Sequence, residues 1–290
     1  MTGQTVSRTH ARRSFLPPVE RRGQTRYEQD VRRAALPCLA LPLALVPALA
    51  SCRTSLADID ELYFAWDDRH VLCAAGIDDS AGNDIDSIRG GLERAADRGE
   101  VLSLYGHKPG QNPGDTVSLD RIEAVLAAAA DLGMDFVTYD DLAAGGPPRA
   151  ALSLSFDDAH VDEWFAMRGL LDRYGARVTF FVTRYDRLSG ARRDELRALA
   201  GDGHAIEAHS LRHLVAPEYV EENGLDAYMN DEALPSIDLL RADGFDPVAY
   251  AYPFGSRTGE IDGALLEHVQ LLRSVTFTVE GPLISDPCPE

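Results

Sequence analysis

The chain has 290 residues, enough for one large domain or two small ones, and its 45% hydrophobic content is sufficient for a buried core. The formal net charge is −19 and is unevenly spread: residues 1–51 contain eight Arg against three Asp or Glu, so residues 52–290 carry −24. A surface this acidic argues against binding to a polyanion, and nucleic acid is not an expected partner.

The first 51 residues have the composition of an export leader. Residues 1–33 are basic and predicted to be disordered, whereas residues 34–51 are uncharged, rich in Leu and Ala, and too short and proline-rich for a membrane span. The sequence Leu49-Ala50-Ser51-Cys52 resembles the bacterial lipobox, in which the cysteine is lipidated. The alternative is an ordinary cleaved signal peptide. We expect an exported lipoprotein that residues 52–62 tether in the periplasm, at the outer membrane or at the cell surface.

Short apolar runs then alternate with helical patterns through residues 63–290. Predicted strands are Val71–Ala75, Val101–Tyr105, Phe136–Tyr139, Ala151–Phe156, Val178–Val182, His204–Ala208, Val248–Tyr252 and Ser274–Val279. Predicted helices are Ile85–Arg98, Leu119–Leu132, Val161–Tyr174, Arg192–Ala200, Leu225–Arg241 (interrupted at Pro235) and Glu260–Leu272. The alternation favours a parallel α/β fold, and a barrel would put the chemistry at the C-terminal ends of the strands. Residues 63–290 are predicted to form a single domain.

Two cysteines remain beyond the leader and Cys52. Cys73 lies in an apolar run and is most simply a buried thiol, and Cys288 lies in a proline-flanked segment near the end of the sequence. A disulfide between them is chemically allowed outside the cytoplasm, but the sequence leaves the pairing open.

The strand predicted at 151–156 leads into two adjacent carboxylates. Its apolar residues alternate with two serines; Asp157 shares the serine face, and Asp158 follows where the chain leaves the strand. About fifty residues later, His209 and His213 have a spacing that places both on one side of a helical turn. One carboxylate and two imidazoles are the ligand set of a catalytic zinc or similar divalent site, which leaves Asp157 free to take a proton. Each feature alone is commonly a turn or a chance spacing, whereas together they favour a metal site.

These segments resemble the polysaccharide deacetylases, the NodB-like carbohydrate esterases. Residues 155–158 (SFDD) resemble the (T/S)FDD signature, and residues 203–213 (GHAIEAHSLRH) resemble the GHEIGxHSxxH segment. Residues 251–255 (AYPFG) resemble the third conserved segment in the form found in one branch. The matches cover about 150–257 in the family's order and spacing.

The resemblance implies a distorted (β/α) barrel that removes acetyl groups from N- or O-acetylated polysaccharide. It implies that Asp158, His209 and His213 hold a divalent metal, Zn²⁺ first and Co²⁺ or another ion as alternatives. It also implies that Asp157 is the general base and that the metal and a backbone N–H near Tyr252 stabilise the oxyanion. Many members have an arginine in place of Ala251 that orients the base, so the partner of Asp157 is left open.

The part of the domain that usually comes last is missing after Phe254, where 36 residues remain. Upstream, residues 99–107 resemble the family's strand with a general-acid histidine, here His107, and residues 133–142 resemble its closing strand. We therefore predict a circular permutation, in which residues 63–142 fill the barrel positions that usually come last and residues 150–290 those that come first. The alternative is an unrelated α/β extension in which His107 has no catalytic role.

The predicted function is a metal-dependent carbohydrate deacetylase that acts on a cell-envelope or extracellular polysaccharide. One alternative is a catalytically weak or inactive carbohydrate-binding envelope lipoprotein on the same fold, and another is a metal-dependent hydrolase of peptides or small amides. Asp78 and Asp79 follow a predicted strand and would contact the site under the permutation; a solvated turn fits equally well. Trp66 and Trp164 could be sugar platforms, although core packing is favoured for both.

Overall fold

The computed structural model describes residues 55–111, 115–276 and 285–289. The basic leader, the 34–51 segment and Cys52 lie outside the described residues. The strands are β1 Tyr63–Phe64, β2 Val71–Gly76, β3 Val101–Gly106, β4 Lys108–Pro109, β5 Thr116–Val117, β6 Asp135–Phe136, β7 Ala151–Asp158, β8 Thr179–Val182, β9 Ala205–Ala208, β10 Ala249–Ala251 and β11 Leu271–Val275. The α-helices are α1 Ile85–Arg98, α2 Leu119–Asp131, α3 Tyr139–Ala144, α4 Val161–Ala166, α5 Arg168–Arg173, α6 Gly190–Gly201, α7 Ala216–Asn223, α8 Leu225–Tyr228, α9 Leu234–Ala242 and α10 Gly259–Leu265.

Seven parallel strands close into a barrel. Their order around the wall is β2, β3, β7, β8, β9, β10 and β11, and β11 pairs with β2 to complete the circle. The short strand β1 is antiparallel to β3, and β6 pairs with the start of β7. Because the barrel strands are parallel, their C-terminal ends lie on one rim, which is where the chemistry of such barrels is found. The predicted NodB-like barrel is confirmed.

The alternating residues of β7 explain why this sequence closes a barrel. Leu152, Leu154 and Phe156 pack in the outer core with the helices, whereas Ala151 belongs to the apolar cluster of the barrel interior. The serine face that carries Asp157 is therefore the inner face, and the residues of β7 up to Asp157 are buried on both sides. A strand buried on both faces is the expected consequence of covering a parallel sheet with helices.

Several predicted boundaries are wrong for identifiable reasons. The strand predicted at 136–139 ends at Phe136, because Thr138 caps α3 with its side chain and its neighbour Tyr139 begins that helix. The helix predicted to reach Leu272 ends at Leu265. Its last apolar residues instead form β11, whose pairing with both β2 and β10 closes the barrel.

The expected tether at 52–62 is also corrected over its described part. Residues 55–62 form two short 3₁₀ turns, Leu56–Asp58 and Asp60–Leu62, in which Leu56 and Leu62 are each 1% exposed. These leucines pack in the outer core, so this segment belongs to the domain. Among the described residues, no helix has the length and apolar character that a bilayer span requires.

The two remaining cysteines form a disulfide. Cys73, in the middle of β2, is bonded to Cys288 across 215 residues of chain. The disulfide lies where the barrel closes. Cys73 is in β2, which pairs with β11, and Cys288 lies against the carbonyl of Val275 at the end of β11.

Candidate active site

At the C-terminal rim of the barrel, predicted site residues from three strands lie together. Asp157 and Asp158 end β7, and His107 directly follows β3, whose last residue Gly106 pairs with Phe156. His209 directly follows β9. Parallel pairing of β3, β7, β8 and β9 therefore places these side chains at one level, although they are far apart in sequence.

Asp158, His209 and His213 come together as a candidate metal site. One ligand atom from each lies within 4.8 Å of the others. Oδ1 of Asp158 is 3.2 Å from Nε2 of His213 and 3.9 Å from Nε2 of His209. One carboxylate and two imidazoles at these distances fit a divalent cation that keeps open positions for water or substrate.

The local backbone of the two histidines differs from the prediction. Residues 209–215 form a loop rather than a helical turn, and Ser210 and His213 both have left-handed backbones, with φ of 60° and 65°. Ser210 organises this loop, because its Oγ accepts a hydrogen bond from the backbone N of His213 at 2.9 Å. Convergence of the imidazoles thus depends on loop geometry and not on the periodicity of a helix.

A second contact sets the tautomer of His209. Its Nδ1 lies 2.9 Å from the carbonyl oxygen of Ala251, and a carbonyl can only accept, so Nδ1 carries the proton. The lone pair is then on Nε2, the atom that faces Asp158. A metal-binding histidine is commonly held in this way by a hydrogen bond from its other nitrogen.

The electrostatics of the three groups suit metal binding. Burial lowers the pKa of His209 to about 4 and also lowers the pKa of His213, so both rings are neutral near pH 7. Burial alone would raise the pKa of Asp158, but His160, with Nε2 3.6 Å from Oδ2, and the nearby histidines His209, His107 and His213 hold that pKa well below its usual range. An ionised carboxylate beside two neutral imidazoles is the ligand state that a cation needs.

Asp157 lies beside this cluster inside the barrel. Its side chain is 3% exposed, and its Oδ2 contacts Nη2 of Arg273, which projects from β11 and is itself 1% exposed. Arg273 was not singled out from the sequence. The only local signal is a charged residue in the apolar run LLRSV, and its partner lies 116 residues away.

His107 is paired with Asp78, which follows β2. Its Nδ1 lies 2.5 Å from Oδ2 of Asp78, and its backbone N donates to Oδ1 at 3.0 Å. The sequence left open whether Asp78 contacts the site; the structure shows that it holds His107.

Tyr252 does not occupy the expected position. Its backbone N–H donates to the carbonyl of Arg273 at 3.0 Å within the barrel wall, and its buried hydroxyl donates to Asp262 at 2.7 Å. The N–H of Tyr252 itself is therefore engaged, and a donor to the oxyanion near Tyr252 has to come from a neighbouring residue. Pro253 has no N–H, so the next donor along the segment belongs to Phe254.

Phe254 brings the AYPFG segment against the candidate metal site. Its ring centroid is 4.7 Å from that of His213, and its side chain is 48% exposed. Its backbone is left-handed, with φ of 59°. Gly255 also has positive φ, and a Cβ there would lie 2.9 Å from the backbone N of Val275, so the turn requires glycine.

Strained backbone is concentrated around this rim. Asp158 at φ 86° joins Ser210, His213 and Phe254 among the non-glycine residues with positive φ. Such conformations persist only where the surrounding structure imposes them, and they are typical of functional sites. Both tryptophans that were considered as sugar platforms have packing roles: Trp164 is fully buried, and Trp66 stacks with Arg149.

Comparison with known proteins finds a match over the segment that contains Asp157, Asp158, His209 and His213. Residues 144–269 match the family model described as polysaccharide deacetylase. Over this segment the chain is similar to the polysaccharide deacetylases. A stretch of 117 residues is 32% identical to a gellan lyase from Bacillus sp., covering 38% of this chain and 4% of that protein. The chain thus spans a small fraction of the length of this curated relative.

Solved structures share the fold of this barrel. IcaB from Ammonifex degensii is 16% identical with a TM-score of 0.52, covering 66% of this chain and 91% of that one. BC0361, a polysaccharide deacetylase from Bacillus cereus, is 16% identical with a TM-score of 0.53, covering 65% and 64%. A de-N-acetylase from Aggregatibacter actinomycetemcomitans is 17% identical with a TM-score of 0.51, covering 65% and 93%. The predicted family resemblance is confirmed, and the circular permutation stays a prediction.

Proposed function

We propose that this protein is a metal-dependent hydrolase that removes acetyl groups from an N- or O-acetylated polysaccharide of the cell envelope or extracellular matrix. The observation that carries the proposal is the convergence of Asp158, His209 and His213 beside Asp157 on the barrel rim. The match of residues 144–269 to polysaccharide deacetylases supports the substrate class.

Asp158, His209 and His213 would hold the metal, with Zn²⁺ the first candidate and Co²⁺ or another divalent ion next. A bound divalent cation would polarise the acetyl carbonyl and make a nearby water more acidic. The side chains of His213 and Asp158 are 18% and 29% exposed, so substrate could approach from the rim.

The remaining chemistry is assigned to residues of the chain. Asp157 would take the proton of the attacking water as general base. His107, held by Asp78, would give a proton to the leaving amine or alkoxide. The N–H of Phe254, which follows Pro253 beside His213, is the candidate donor to the developing oxyanion.

The test is acetate release from acetylated glycans by the purified protein, with and without added zinc or cobalt. Asp157→Asn should retain metal but lose turnover by about 10²–10⁴-fold, the usual contribution of a general base. His213→Ala should lose metal content and acetate release together. The exposed residues Asp172 and His268 provide matched controls, Asp172→Asn and His268→Ala, which should behave as wild type.

The outcomes separate the possible functions. Full activity of Asp157→Asn would reject the base assignment. Binding of glycans without acetate release under any metal condition would favour an inactive carbohydrate-binding lipoprotein, and activity restricted to peptides or small amides would favour a different amide hydrolase.

We further propose that the mature protein is an exported lipoprotein attached to a membrane through Cys52. The support is the lipobox-like sequence before Cys52 and the disulfide between Cys73 and Cys288, which fits an oxidising compartment. Metabolic labelling with palmitate should label the wild type and not Cys52→Ser. A labelled Cys52→Ser variant, or an unlabelled wild type that still reaches the envelope, would reject the anchor.

We also infer that the domain is circularly permuted. The support is that β3, which leads to His107, pairs directly with β7, while β6 lies beside the start of β7. A gene that begins at Arg149 and joins the present ends through a flexible linker should give a folded, active protein, because the new ends fall in the loop after α3. Failure of this permutant to fold, when the linker is long enough, would argue against the inference.

A further inference from the structure

Arg184 lies on the C-terminal rim beside the candidate metal site. It is the second residue after β8, and its neighbour Thr183 binds the chain to two parts of that site. The backbone N of Thr183 donates to the carbonyl of Asp158 at 2.9 Å, and its Oγ1 donates to the carbonyl of Ser210 at 3.0 Å. Burial is the largest cause of the lowered pKa of His213, and the positive charge of Arg184 lowers that pKa further, so the two side chains are close.

The backbone of Arg184 is held in an unfavourable conformation. Its φ of 53° and ψ of 36° lie in the left-handed region, which glycine adopts at no steric cost and arginine does not. The carbonyl of Arg184 accepts from the backbone N of Arg187 at 2.9 Å, and the next residue, Tyr185, is buried with its hydroxyl bonded to Asp243. The surrounding structure therefore imposes the conformation, as it commonly does at functional sites.

The side chain of Arg184 is exposed. Over residues 55–111, 115–276 and 285–289, it has no ion pair and no side-chain hydrogen bond. Other cations on this rim are engaged in ion pairs: Lys108 with Glu163, Arg212 with Glu232, and Arg257 with Asp262. A guanidinium beside a cation site repels the cation, and an anion that binds next to both would remove that repulsion. The position of Arg184 therefore favours an anionic ligand.

We propose that Arg184 forms a subsite for a carboxylate of the polysaccharide, so that the substrate is an acidic glycan with a uronic acid at or next to the acetylated sugar. The inference rests on the proposed function, which it narrows from acetylated polysaccharides in general to those that contain uronic acid. A planar guanidinium binds a carboxylate through two parallel hydrogen bonds. Because residues 52–290 carry −24, no broad field attracts a polyanion, and recognition depends on this local contact.

The experiment uses one oligosaccharide in two forms, O-acetylated trimannuronate and its carboxyl-reduced counterpart, in which neutral hydroxymethyl groups replace the carboxylates. Calorimetry on the zinc-free protein measures binding without turnover, and thermal unfolding establishes that each variant is folded. The wild type should bind the charged form more tightly than the reduced form. Arg184→Gln should bind the charged form about 5–20-fold more weakly, the effect of one charge-assisted contact discounted for exposure, and should bind the reduced form like the wild type. Arg184→Lys should fall between the two, because lysine has the charge without the planar fork.

The matched control is Arg173→Gln. It removes an exposed arginine from the end of α5, which leads to the start of β8 at the opposite end of the barrel. It should bind both forms like the wild type. In the zinc-loaded protein, Arg184→Gln should raise KM for acetate release from the charged form by about 5–20-fold and change kcat by less than about twofold, because the lost contact is made to the ground state and the transition state alike.

The outcomes for the subsite and for the proposed function differ. Equal binding of the charged form by Arg184→Gln and the wild type would overturn the subsite. A wild type without preference for the charged form, including one that binds neither form, would also overturn it. A wild type that releases no acetate but binds the charged form through Arg184 would overturn only the proposed function. A wild type that releases acetate from both forms with the same KM would overturn only the subsite.

Discussion

At the scale of single residues, nearby carboxylates determine the protonation state of His107. Burial alone would lower the pKa of His107, but the hydrogen bond with Asp78 and the charges of Asp78, Asp157 and Asp158 raise it to about 9. Trp164 fixes the same residue from the other side by donating from Nε1 to the His107 carbonyl at 3.1 Å. The ring is therefore protonated near pH 7, as a general acid must be.

The raised pKa predicts an alkaline limit to activity. Because its pKa is raised to about 9, His107 stays protonated at lower pH and loses its proton as the pH rises through about 9. The value of kcat should therefore fall on the alkaline side. A bound cation would repel the imidazolium, so the fall should lie at or below pH 9. Asp78→Asn should move it to lower pH, and His107→Gln should remove it and lower kcat by about 10²–10⁴-fold.

The measurement is the pH dependence of kcat for acetate release, with the exposed His268→Gln as control. An unchanged alkaline limb in His107→Gln would assign the limb to another group and withdraw His107 as the acid.

At the scale of elements, an irregular helix supports the loop that carries His209 and His213. The helix predicted across 225–241 is in fact α8, a π-helical segment at Met229–Ala233, and α9. In the π segment, fully buried Glu232 accepts from the backbone N of Arg212 at 2.9 Å and also contacts its Nε. The carbonyl of Glu232 accepts from the backbone N of Leu211 at 3.2 Å. Single-turn π segments frequently occur at functional sites, and here one fixes the residue next to His213.

We therefore expect Glu232→Gln to weaken metal binding. The amide keeps the shape of the side chain but loses the charge that holds Arg212, so the loop of residues 209–215 should become less ordered. Zinc affinity, measured against a competing chelator, should fall by about tenfold. Asp238→Asn, which removes an exposed charge from α9, is the control. Equal zinc affinity in Glu232→Gln and wild type would show that the loop holds its own conformation.

At the scale of the whole molecule, the disulfide joins segments near the two ends of the domain. Cys73 lies in the first strand of the barrel, and Cys288 follows the last, at a sequence separation of 215. The segment around Cys288 also contacts the barrel through Arg257, which donates to the carbonyls of Asp286 and Pro287 at 3.2 and 2.8 Å. The seam between β11 and β2 is thus held by sheet hydrogen bonds and by one covalent link.

Removing this link should destabilise the domain. In the chain-entropy account, a cross-link that closes a loop of this length stabilises the fold by about 5 kcal/mol, because it restricts the unfolded chain. Cys288→Ser should lower the free energy of unfolding, measured in urea, by about 2–5 kcal/mol. Reduction of the wild type should reproduce this loss and leave Cys288→Ser unchanged. Equal stability of oxidised and reduced wild type would contradict the expectation.

The sequence by itself determined the kind of fold and singled out four residues, Asp157, Asp158, His209 and His213, that the fold brings together. Asp157 and Asp158 stand at the end of a strand recognisable from its alternation, and His209 and His213 lie in a short segment whose residue types limit its chemistry. These signals are local, so no knowledge of distant contacts was required. The spacing of His209 and His213 wrongly predicted a helical turn, because the left-handed backbones of Ser210 and His213 are stabilised by contacts within a folded loop.

Only the tertiary structure decided which groups act on those residues. Arg273 reaches Asp157 because β11 lies beside β10 across a closed barrel, and Asp78 reaches His107 because β2 lies beside β3. Glu232 reaches Arg212 because a π segment interrupts a helix that otherwise has an ordinary pattern. Each partner depends on strand order, register or helix geometry. The packing of the entire chain determines strand order, register and helix geometry, so the sequence around each group does not predict its partner.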